Sequence, residues 1–491
     1  MARRTHKGAP QLRAHKPSAH LFRNHGRAFL FDPCTRTSFA LDTSGEVAAR
    51  EMLGGKPARR GVTAEKVASA RDELTALSLR GHFRESCALP AQPSPRKHVV
   101  LVNVSCRCNL RCRYCYANHE GVDGWPPLDM PPAVMEATAR LIGDLWQSSH
   151  LEALDVGVAC SGEIACQFEL CDAFRAALAA ESCRRGVQLQ LRAWSGTNLT
   201  RLSDPGAAKR VLDLGCAGAS LDGPPEIHDA MRVYPDGRGT YADAVRGLKV
   251  LRGQATGLEG SKHNRVGATL TGAYPDVLAV YQHLFDLGFA ALAVQLVRSK
   301  PDSPFAVGHN LDAIRDGYCR LAEWLISLPD AALSDRLRRI TSGSKSSDYF
   351  GRFLERVMRR PLMQSRCPGG TRDLTVHTDG TLYICPGLAG VPEARLGSVW
   401  EGIDDARVAE LADRLQVTRR VPCKDCWARF LCGGGCMHQS YLTFGDLFRP
   451  DPAECALNQH LIELAIWFYA ELKEKRPTVL EHLQRPPVAT A

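Results

Sequence analysis

The chain has 491 residues, of which 44% are hydrophobic and 23% are charged. These values are typical of folded proteins and exclude a disulfide miniprotein, a collagen-like repeat, a coiled coil and wholesale disorder. No apolar run approaches the about eighteen residues that span a bilayer, and the N-terminus lacks the apolar region of a signal peptide, so we expect a cytoplasmic protein with no membrane partner.

The net charge of +9 comes mainly from the N-terminus. No acidic residue precedes Asp32, while seven Lys and Arg residues lie within positions 1–27. We therefore predict a basic flexible tail over 1–27 that can attract an acidic peptide. The rest of the chain is close to neutral, which disfavours nucleic-acid binding.

Residues 28–87 are predicted to form a small α+β domain. The segment RAFLFDPCTRTSFALD alternates as strands do, and SGEVAAREML and AEKVASARDELTALSLRG have helical spacing. Residues 88–97 contain three prolines and no periodicity, which is typical of a linker.

From 98 to 300 short apolar segments alternate with amphipathic helical ones. Six β–α repeats predict an α/β fold with a parallel sheet covered by helices, either open or curled into a partial barrel, with its chemistry at the C-terminal strand ends. The predicted strands are 98–105, 151–160, 187–194, 215–222, 265–271 and 290–297. Residues 301–366 are predicted to be a helical connection, and 457–491 a closing helix and tail.

Nineteen cysteines are unusual in a protein expected in a reducing compartment, so metal ligation is favoured over disulfides. Eleven of them fall into two groups. The first is Cys106, Cys108, Cys112 and Cys115, and the second is Cys367, Cys385, Cys423, Cys426, Cys432, Cys436 and Cys455. The other eight, including Cys34, Cys87, Cys160 and Cys319, are predicted to be small buried hydrophobic side chains.

Three thiolates, Cys108, Cys112 and Cys115, share one tight loop directly after the first of the six strands. Three thiolates can hold three irons of a [4Fe–4S] cluster and leave the fourth iron open. A structural zinc normally has four closed ligands, so the count favours an open, catalytic site. Whether Cys106 provides a fourth ligand is left open by the sequence.

This C-x3-C-x2-C loop, with Tyr114 before its last cysteine, resembles the radical S-adenosylmethionine enzymes over residues 98–300. The resemblance implies a partial (β/α)6 TIM-like barrel. In that family the open iron binds S-adenosylmethionine, and one-electron reduction yields a 5′-deoxyadenosyl radical that takes hydrogen from the substrate.

Further segments resemble the family in order. SGEI at 161–164 resembles its Gly-Gly-Glu-Pro segment, which binds the methionine amino group, although the first and last residues differ; the alternative for Glu163 is a solvated loop carboxylate. GTN at 196–198 resembles the turn after the third strand. In SLDGPPEIHDAMR, Ser220 and Arg232 would reach the cofactor and Asp222 would cap the loop. The resemblance implies these cofactor-binding residues: Tyr114, Ser161, Gly162, Glu163, Asn198, Ser220, Asp222 and Arg232.

The second cysteine group could form a zinc ribbon, but seven thiolates are too many for one zinc and suit two iron–sulfur clusters. Its spacings resemble the SPASM extension of radical enzymes that modify peptides, here over 367–456. That resemblance assigns four ligands to one auxiliary [4Fe–4S] cluster: Cys423, Cys426, Cys432 and Cys455. It assigns Cys367, Cys385 and Cys436 to another, with one iron open to a substrate thiolate or another ligand.

Two functions compete within this family. Anaerobic sulfatase maturases, which make formylglycine, carry an acidic base directly after the second SPASM cysteine, where this chain has Pro386, and an eighth cysteine where PLMQSR lies here. The 28–87 domain resembles the winged-helix leader-binding domain of maturases of ribosomally made peptides, which adds the leader as an extra strand.

The sequence therefore predicts a radical peptide maturase that installs intramolecular Cys sulfur-to-carbon thioethers, as maturases of cysteine-rich peptides and of the quinohemoprotein amine dehydrogenase small subunit do. Its expected partners are a precursor polypeptide with a leader and an electron donor such as flavodoxin or ferredoxin. The alternatives are formylglycine formation, C–C or C–O crosslinking and, from a different class, a zinc-stabilised nucleic-acid-binding protein. No catalytic base can be assigned.

Overall fold

The computed structural model describes residues 18–56, 61–87, 89, 99–117, 128–149, 154–158, 161–189, 191–193, 196–215, 218–254, 264–341 and 348–484. The chain divides into two compact units, residues 1–91 and 92–491. Cys160, most of the linker predicted for 88–97 and residues 1–17 of the predicted tail lie outside the described residues.

Most strands are short. The described strands are β1 His20–Asn24, β2 Arg27–Asp32, β3 Thr37–Leu41, β4 Val99–Val102, β5 Asp155–Val158, β6 Leu191–Ala193, β7 Gly196–Thr197, β8 Gly218–Ser220, β9 Arg265–Leu270, β10 Ala291–Leu296, β11 Asp373–Val376, β12 Thr381–Tyr383, β13 Arg395–Ser398 and β14 Gly402–Ile403.

The helices are longer, and several begin at a capping residue. They are α1 Thr43–Met52, α2 Ala64–Leu79, α3 Pro132–Ser149, α4 Phe168–Arg185, α5 Pro205–Asp213, α6 Pro225–Met231, α7 Tyr241–Gln254, α8 Val277–Asp286, α9 Leu311–Ser327, α10 Asp330–Thr341, α11 Tyr349–Arg359, α12 Asp405–Arg414, α13 Arg429–Cys432, α14 Met437–Phe444, α15 Pro452–Lys475 and α16 Pro477–Gln484. Asp451, for example, caps α15 by accepting from the Glu454 backbone N–H at 2.7 Å.

The first unit is a three-stranded antiparallel sheet, ordered β1-β2-β3, with α1 packed on it and α2 packed against α1. Its core includes Leu30, Val47 and Val67. The tail prediction extended too far, because residues 20–24 form β1. They pair with β2 through a tight turn at His25 and Gly26, both with positive φ, and this pairing buries Phe22.

The prediction that Cys34 and Cys87 are small buried hydrophobic side chains is wrong. Both are only half-buried, and they form a disulfide across 53 residues. The buried carboxylate of Asp32 explains their approach: it accepts from the backbone N–H groups of Cys34 and Phe83, and so holds the segment after α2 against the β2–β3 turn.

The second unit contains all six strands predicted between 98 and 300. β4, β5 and β6 pair in parallel, and so do β8, β9 and β10, with β7 added beside β8. Short apolar strands separated by helices therefore do form parallel sheets, and the prediction of a mixed α/β fold with parallel strands is confirmed. No helix of the described residues is long and apolar enough to cross a membrane.

The cysteine-rich C-terminal region has strands that its composition did not predict. β11 pairs in parallel with β4, and β12, β13 and β14 continue the same sheet in antiparallel order. Leu374 and Val376 of β11 are fully buried, which explains why so short a strand is stable here. The site at the end of β4 thus has C-terminal residues as direct neighbours.

Candidate functional site

The three-cysteine loop follows β4 and is fixed by its own backbone. Arg111 and Arg113 donate their backbone N–H groups to the carbonyls of Val233 and Met231 at 2.8 and 2.9 Å. The Cys108 sulfur accepts from the Leu110 backbone N–H at 3.4 Å. These bonds hold the loop at the C-terminal edge of the parallel strands, where ligands bind in such folds.

A cavity of 540 Å³ opens at this edge. Ten of the eleven residues predicted for the cysteine loop and the cofactor line it, and they come from the ends of several strands. These ten are Cys108, Cys112, Cys115, Tyr114, Ser161, Gly162, Glu163, Asn198, Ser220 and Arg232. The structure therefore brings together side chains separated by more than 100 residues in the sequence.

Asp222 is the exception, because it lies behind the cavity wall and not in it. Its buried carboxylate accepts from the Tyr114 hydroxyl at 2.6 Å, from Arg232 Nε at 2.9 Å and from the Thr269 backbone N–H at 2.9 Å. Asp222 thus holds in place two side chains that line the cavity.

Glu163 joins two of the strand-end loops. Its buried carboxylate accepts from the Asn198 backbone N–H at 2.7 Å and from the Thr197 hydroxyl at 2.6 Å, and burial raises its pKa. The backbone of Gly162 lies against the cysteine loop, since a Cβ there would come within 2.6 Å of the Arg107 carbonyl oxygen. A side chain at position 162 would push the two loops apart.

Two observations test whether these residues fit an iron–sulfur cluster with S-adenosylmethionine. Ser161 Oγ and Gln295 Nε2 are buried at the cavity without a hydrogen-bond partner among the described residues, so a polar ligand would satisfy them. Burial also raises the pKa of the Cys108 thiol to about 12 and of the Cys112 thiol to about 11. Ligation needs thiolates, and a bound cation supplies the charge that lowers such pKa values. The residues fit the cofactor.

Cys106 has a different neighbour from the other three cysteines of its group. Its sulfur lies 3.8 Å from Nε2 of His377, which follows β11, and both side chains are buried. The neighbouring strands β4 and β11 bring them together.

The second cysteine group divides into two sets. Cys367 and Cys385 both lie close enough to Cys436 for its charge to act on their thiols, and burial is the main reason that the pKa of Cys367 rises to about 11. The other set consists of Cys423, Cys426, Cys432 and Cys455, in which the charges of Cys426 and Cys432 act on the thiols of Cys423 and Cys455. Among the described residues, no three His, Cys, Asp or Glu side chains converge on a site for a single metal ion.

Glu454 connects the two sets. It precedes Cys455 in α15 and accepts from the Cys436 backbone N–H at 2.8 Å. Arg298, at 3.1 Å, and Arg366 form ion pairs with it. Burial alone would raise the pKa of Glu454, but these guanidinium groups outweigh burial and hold the pKa well below its usual range.

A second cavity, of 480 Å³, adjoins the first. Both are lined by Tyr114, Cys115, Tyr116 and Arg298. The second is also lined by His438, whose ring occupies the space that a Cβ would need at Gly387, directly after Pro386. We call this space the cleft. It borders the cysteine loop on one side and the Cys385 segment on the other.

Sequence reasoning missed several residues of the site. Arg298 and Gln295 lie at the end of the sixth predicted strand, so the rule that strand ends carry the chemistry could have identified them. The role of Glu454 could not be predicted from the residues around it in the sequence, because its partner Cys436 lies 18 positions away.

Comparisons with known proteins were consistent with this geometry. No family model matches the chain. The serine-type anaerobic sulfatase-maturating enzyme of Klebsiella aerogenes is 26% identical over 379 residues, which cover 74% of this chain and 85% of the relative. A solved structure of anSMEcpe with bound AdoMet has a TM-score of 0.57 at 18% identity, covering 78% of this chain and 98% of its own. The same protein with AdoMet and the Cp18Cys peptide has a TM-score of 0.56 at 19% identity, with the same coverage.

The solved structures show the shared fold. The sequence relatives confirm the resemblance to radical S-adenosylmethionine enzymes and the prediction that this chain is an enzyme.

Proposed function

We propose that this chain is a radical S-adenosylmethionine peptide maturase. The observation that carries the proposal is the 540 Å³ cavity, in which three loop thiols meet Glu163, Asn198, Ser220 and Arg232 at the ends of parallel strands. When bound there, S-adenosylmethionine on a [4Fe–4S] cluster supplies a 5′-deoxyadenosyl radical that takes a hydrogen atom from the substrate.

The chain's own residues would hold and orient this cofactor. Cys108, Cys112 and Cys115 are the proposed cluster ligands. Arg232, fixed by Asp222, presents a guanidinium to the cavity for an anionic group such as the methionine carboxylate. Ser161, whose hydroxyl lacks a partner, offers a further hydrogen bond.

We further propose two auxiliary clusters in a SPASM domain over 367–456, which makes three [4Fe–4S] clusters with the one in the partial (β/α)6 barrel of 98–300. Cys423, Cys426, Cys432 and Cys455 provide four thiols for one cluster. Cys367, Cys385 and Cys436 provide three for the other, which leaves an iron open. Support comes from the separate groups that these thiols form and from the guanidinium groups of Arg298 and Arg366 between them, which suit anionic clusters.

The proposed substrate is a polypeptide. The cleft adjoins the cofactor cavity and is lined by Tyr116, His438 and Tyr441, side chains that suit an extended peptide. One structural neighbour, anSMEcpe, has been solved with AdoMet and the Cp18Cys peptide bound. Residues 28–87 are proposed to bind its leader along a strand edge, since β3, which lies in this range, is an edge strand of a three-stranded sheet.

The reaction that we propose is intramolecular Cys sulfur-to-carbon thioether formation. Its support is Pro386, which replaces the acidic base expected of a sulfatase maturase after Cys385. Asp302 is the one carboxylate among the described residues of the cleft lining, and it is exposed. Formylglycine formation is the second candidate, favoured by the 26% identity to a serine-type sulfatase-maturating enzyme.

One experiment separates these reactions. The reconstituted enzyme is incubated without oxygen with dithionite, S-adenosylmethionine and a small Cys-containing polypeptide chosen by searching the reading frames beside its gene. Thioether formation removes two hydrogen atoms per crosslink and protects a cysteine from alkylation, whereas formylglycine reacts with a hydrazide probe. We expect 5′-deoxyadenosine and an alkylation-resistant cysteine by mass spectrometry. A hydrazide-reactive product with all thiols free would favour the second candidate, and absence of 5′-deoxyadenosine would reject both.

A further inference from the structure

A groove of 820 Å³ on the C-terminal region carries a concentration of positive charge. Four arginines line it against a single acidic side chain, Asp446. These arginines are Arg414, Arg419, Arg420 and Arg449. Nothing in the proposed chemistry of the cofactor cavity or the cleft uses this surface.

Aromatic rings hold two of these guanidinium groups in place. Arg414 stacks on Phe448 at 3.6 Å and Arg449 on Phe444 at 3.8 Å, measured to the ring centroids. Arg414 also forms an exposed ion pair with Glu410 at 3.0 Å, a type of contact that contributes little in water. Arg449 is exposed and has no ion pair with any described residue. Both charges are therefore available to a partner.

The groove reaches one of the proposed cluster sites. Cys455 lines it directly. Arg420 is buried beneath it, and its partners in the described part of the chain are all neutral: the Phe448 carbonyl at 2.8 Å, the Gly435 carbonyl at 3.4 Å and the Ser440 hydroxyl at 3.4 Å. Its charge acts on the Cys423 thiol, another member of the same four-cysteine set. A cluster held by that set would lie next to a cationic surface.

We propose that this groove is the docking surface for an acidic one-electron carrier protein, of the flavodoxin or ferredoxin class. The inference rests on the proposed function, because it requires a cluster at Cys423, Cys426, Cys432 and Cys455. Clustered arginines beside a redox centre attract an acidic partner and speed its encounter, and electron-transfer complexes need only a small interface.

The stoichiometry of the proposed reaction leaves one electron for the carrier to accept. Forming the C–S bond takes one hydrogen atom from a substrate carbon, which goes to the deoxyadenosyl group. The thiol loses one proton to water, and one electron remains. The oxidised carrier accepts that electron and is reduced by it. The same single electron is left when a serine is oxidised to formylglycine, so the inference holds for either candidate reaction.

Binding of a flavodoxin of net negative charge to the reconstituted enzyme tests the inference. We compare the parent with the double variant Arg414→Gln/Arg449→Gln by surface plasmon resonance without oxygen. The expected result is a Kd raised about tenfold at low ionic strength, with the difference vanishing at high salt as screening removes the attraction. The matched control is Arg140→Gln/Arg175→Gln, which removes two half-exposed arginines from α3 and α4 and should bind like the parent.

Three results would overturn the inference. The groove variant could bind flavodoxin as tightly as the parent does, or the control variant could lose as much affinity for flavodoxin as the groove variant. The third is that the enzyme binds duplex DNA with the same dependence on Arg414 and Arg449. The groove variant should cleave S-adenosylmethionine with dithionite as fast as the parent does and should contain as much iron. These two measurements show that the variant folds. If no variant or parent cleaves S-adenosylmethionine with dithionite, the proposed function fails instead, and the two failures are distinguished.

Discussion

The two cysteine-rich regions of this chain surround their thiols differently. The loop at 108–115 borders an open cavity of 540 Å³ lined by polar side chains from several strand ends, two of them with unpartnered buried atoms. In the second group, the buried Glu454 and its arginine partners lie beside Cys432, Cys436 and Cys455. The first environment leaves room for a cofactor, and the second provides buried charge beside the thiols.

This difference shows that cysteine spacing alone does not determine what a group of thiols can bind. Neighbouring side chains do so, because they decide whether a ligand can enter and which charge is stabilised. Each of the following predictions alters one of the two environments and leaves the other intact.

The largest expected effect is that of Cys112→Ala. It removes a loop ligand, so 5′-deoxyadenosine formation should fall to background and iron should drop by about four per chain. Cys432→Ala should lose a similar amount of iron but retain cleavage of S-adenosylmethionine. Cys183→Ala, an exposed thiol of α4, is the matched control and should behave like the parent. Cleavage that survives in Cys112→Ala would refute the assignment of the loop.

Glu454→Gln should destabilise the second region strongly. It leaves Arg298 and Arg366 buried without their carboxylate, a change that typically costs about 3–5 kcal/mol and would lower the thermal midpoint by about 10 °C. Asp213→Asn breaks the exposed pair with Lys209 and should change stability by about 1 kcal/mol or less. Equal midpoints for these two variants, measured by circular dichroism without oxygen, would contradict the role of Glu454.

Asp222→Asn should weaken cofactor binding more than it weakens the fold. Arg232 and Tyr114 lose their charged partner, and such hydrogen bonds contribute about 1.5–3 kcal/mol, so the Kd of S-adenosylmethionine should rise about 10- to 100-fold. Asp243→Asn is a close control, because Asp243 accepts from Tyr234 at 2.7 Å and Arg238 at 3.0 Å outside the cavity lining. Equilibrium dialysis should show parental affinity for Asp243→Asn.

Tyr114→Phe is expected to have the smallest effect. It removes only the hydroxyl that donates to Asp222 at 2.6 Å and keeps the ring at the cavity wall. A hydrogen bond to a charged group contributes about 1.5–3 kcal/mol, but Arg232 keeps its own bonds to Asp222 in this variant, so the Kd should rise by only about tenfold. A larger rise than in Asp222→Asn would mean that Tyr114 acts independently of the carboxylate.

Short stretches of sequence were enough to predict much of the fold, from their apolar runs, and much of the cavity, from motifs that resemble a known family. The six strands between 98 and 300 appeared where short apolar runs indicated them, because a strand buried on both faces needs such a run. Ser161, Asn198 and Ser220 were named through the resemblance to the family, and the fold brings them to one edge because each ends or follows a strand of a parallel pair.

The remainder depends on contacts between distant residues. The pairing of β11 with β4 joins residues more than 270 positions apart, and the Cys34–Cys87 disulfide spans 53. Arg352 donates to Gln295 at 3.0 Å from 57 positions away, which fixes an amide at the cavity. Such pairs cannot be predicted from periodicity or spacing, because each partner alone is an ordinary residue of its helix, strand or turn.

Iron and zinc content of the protein, purified and reconstituted without oxygen, is the most direct test of the central claim that both cysteine regions hold iron–sulfur clusters. We predict about 12 irons per chain, with a broad visible band that bleaches with dithionite. One or two zinc ions per chain with no iron would contradict the radical mechanism and favour a zinc-stabilised binding protein.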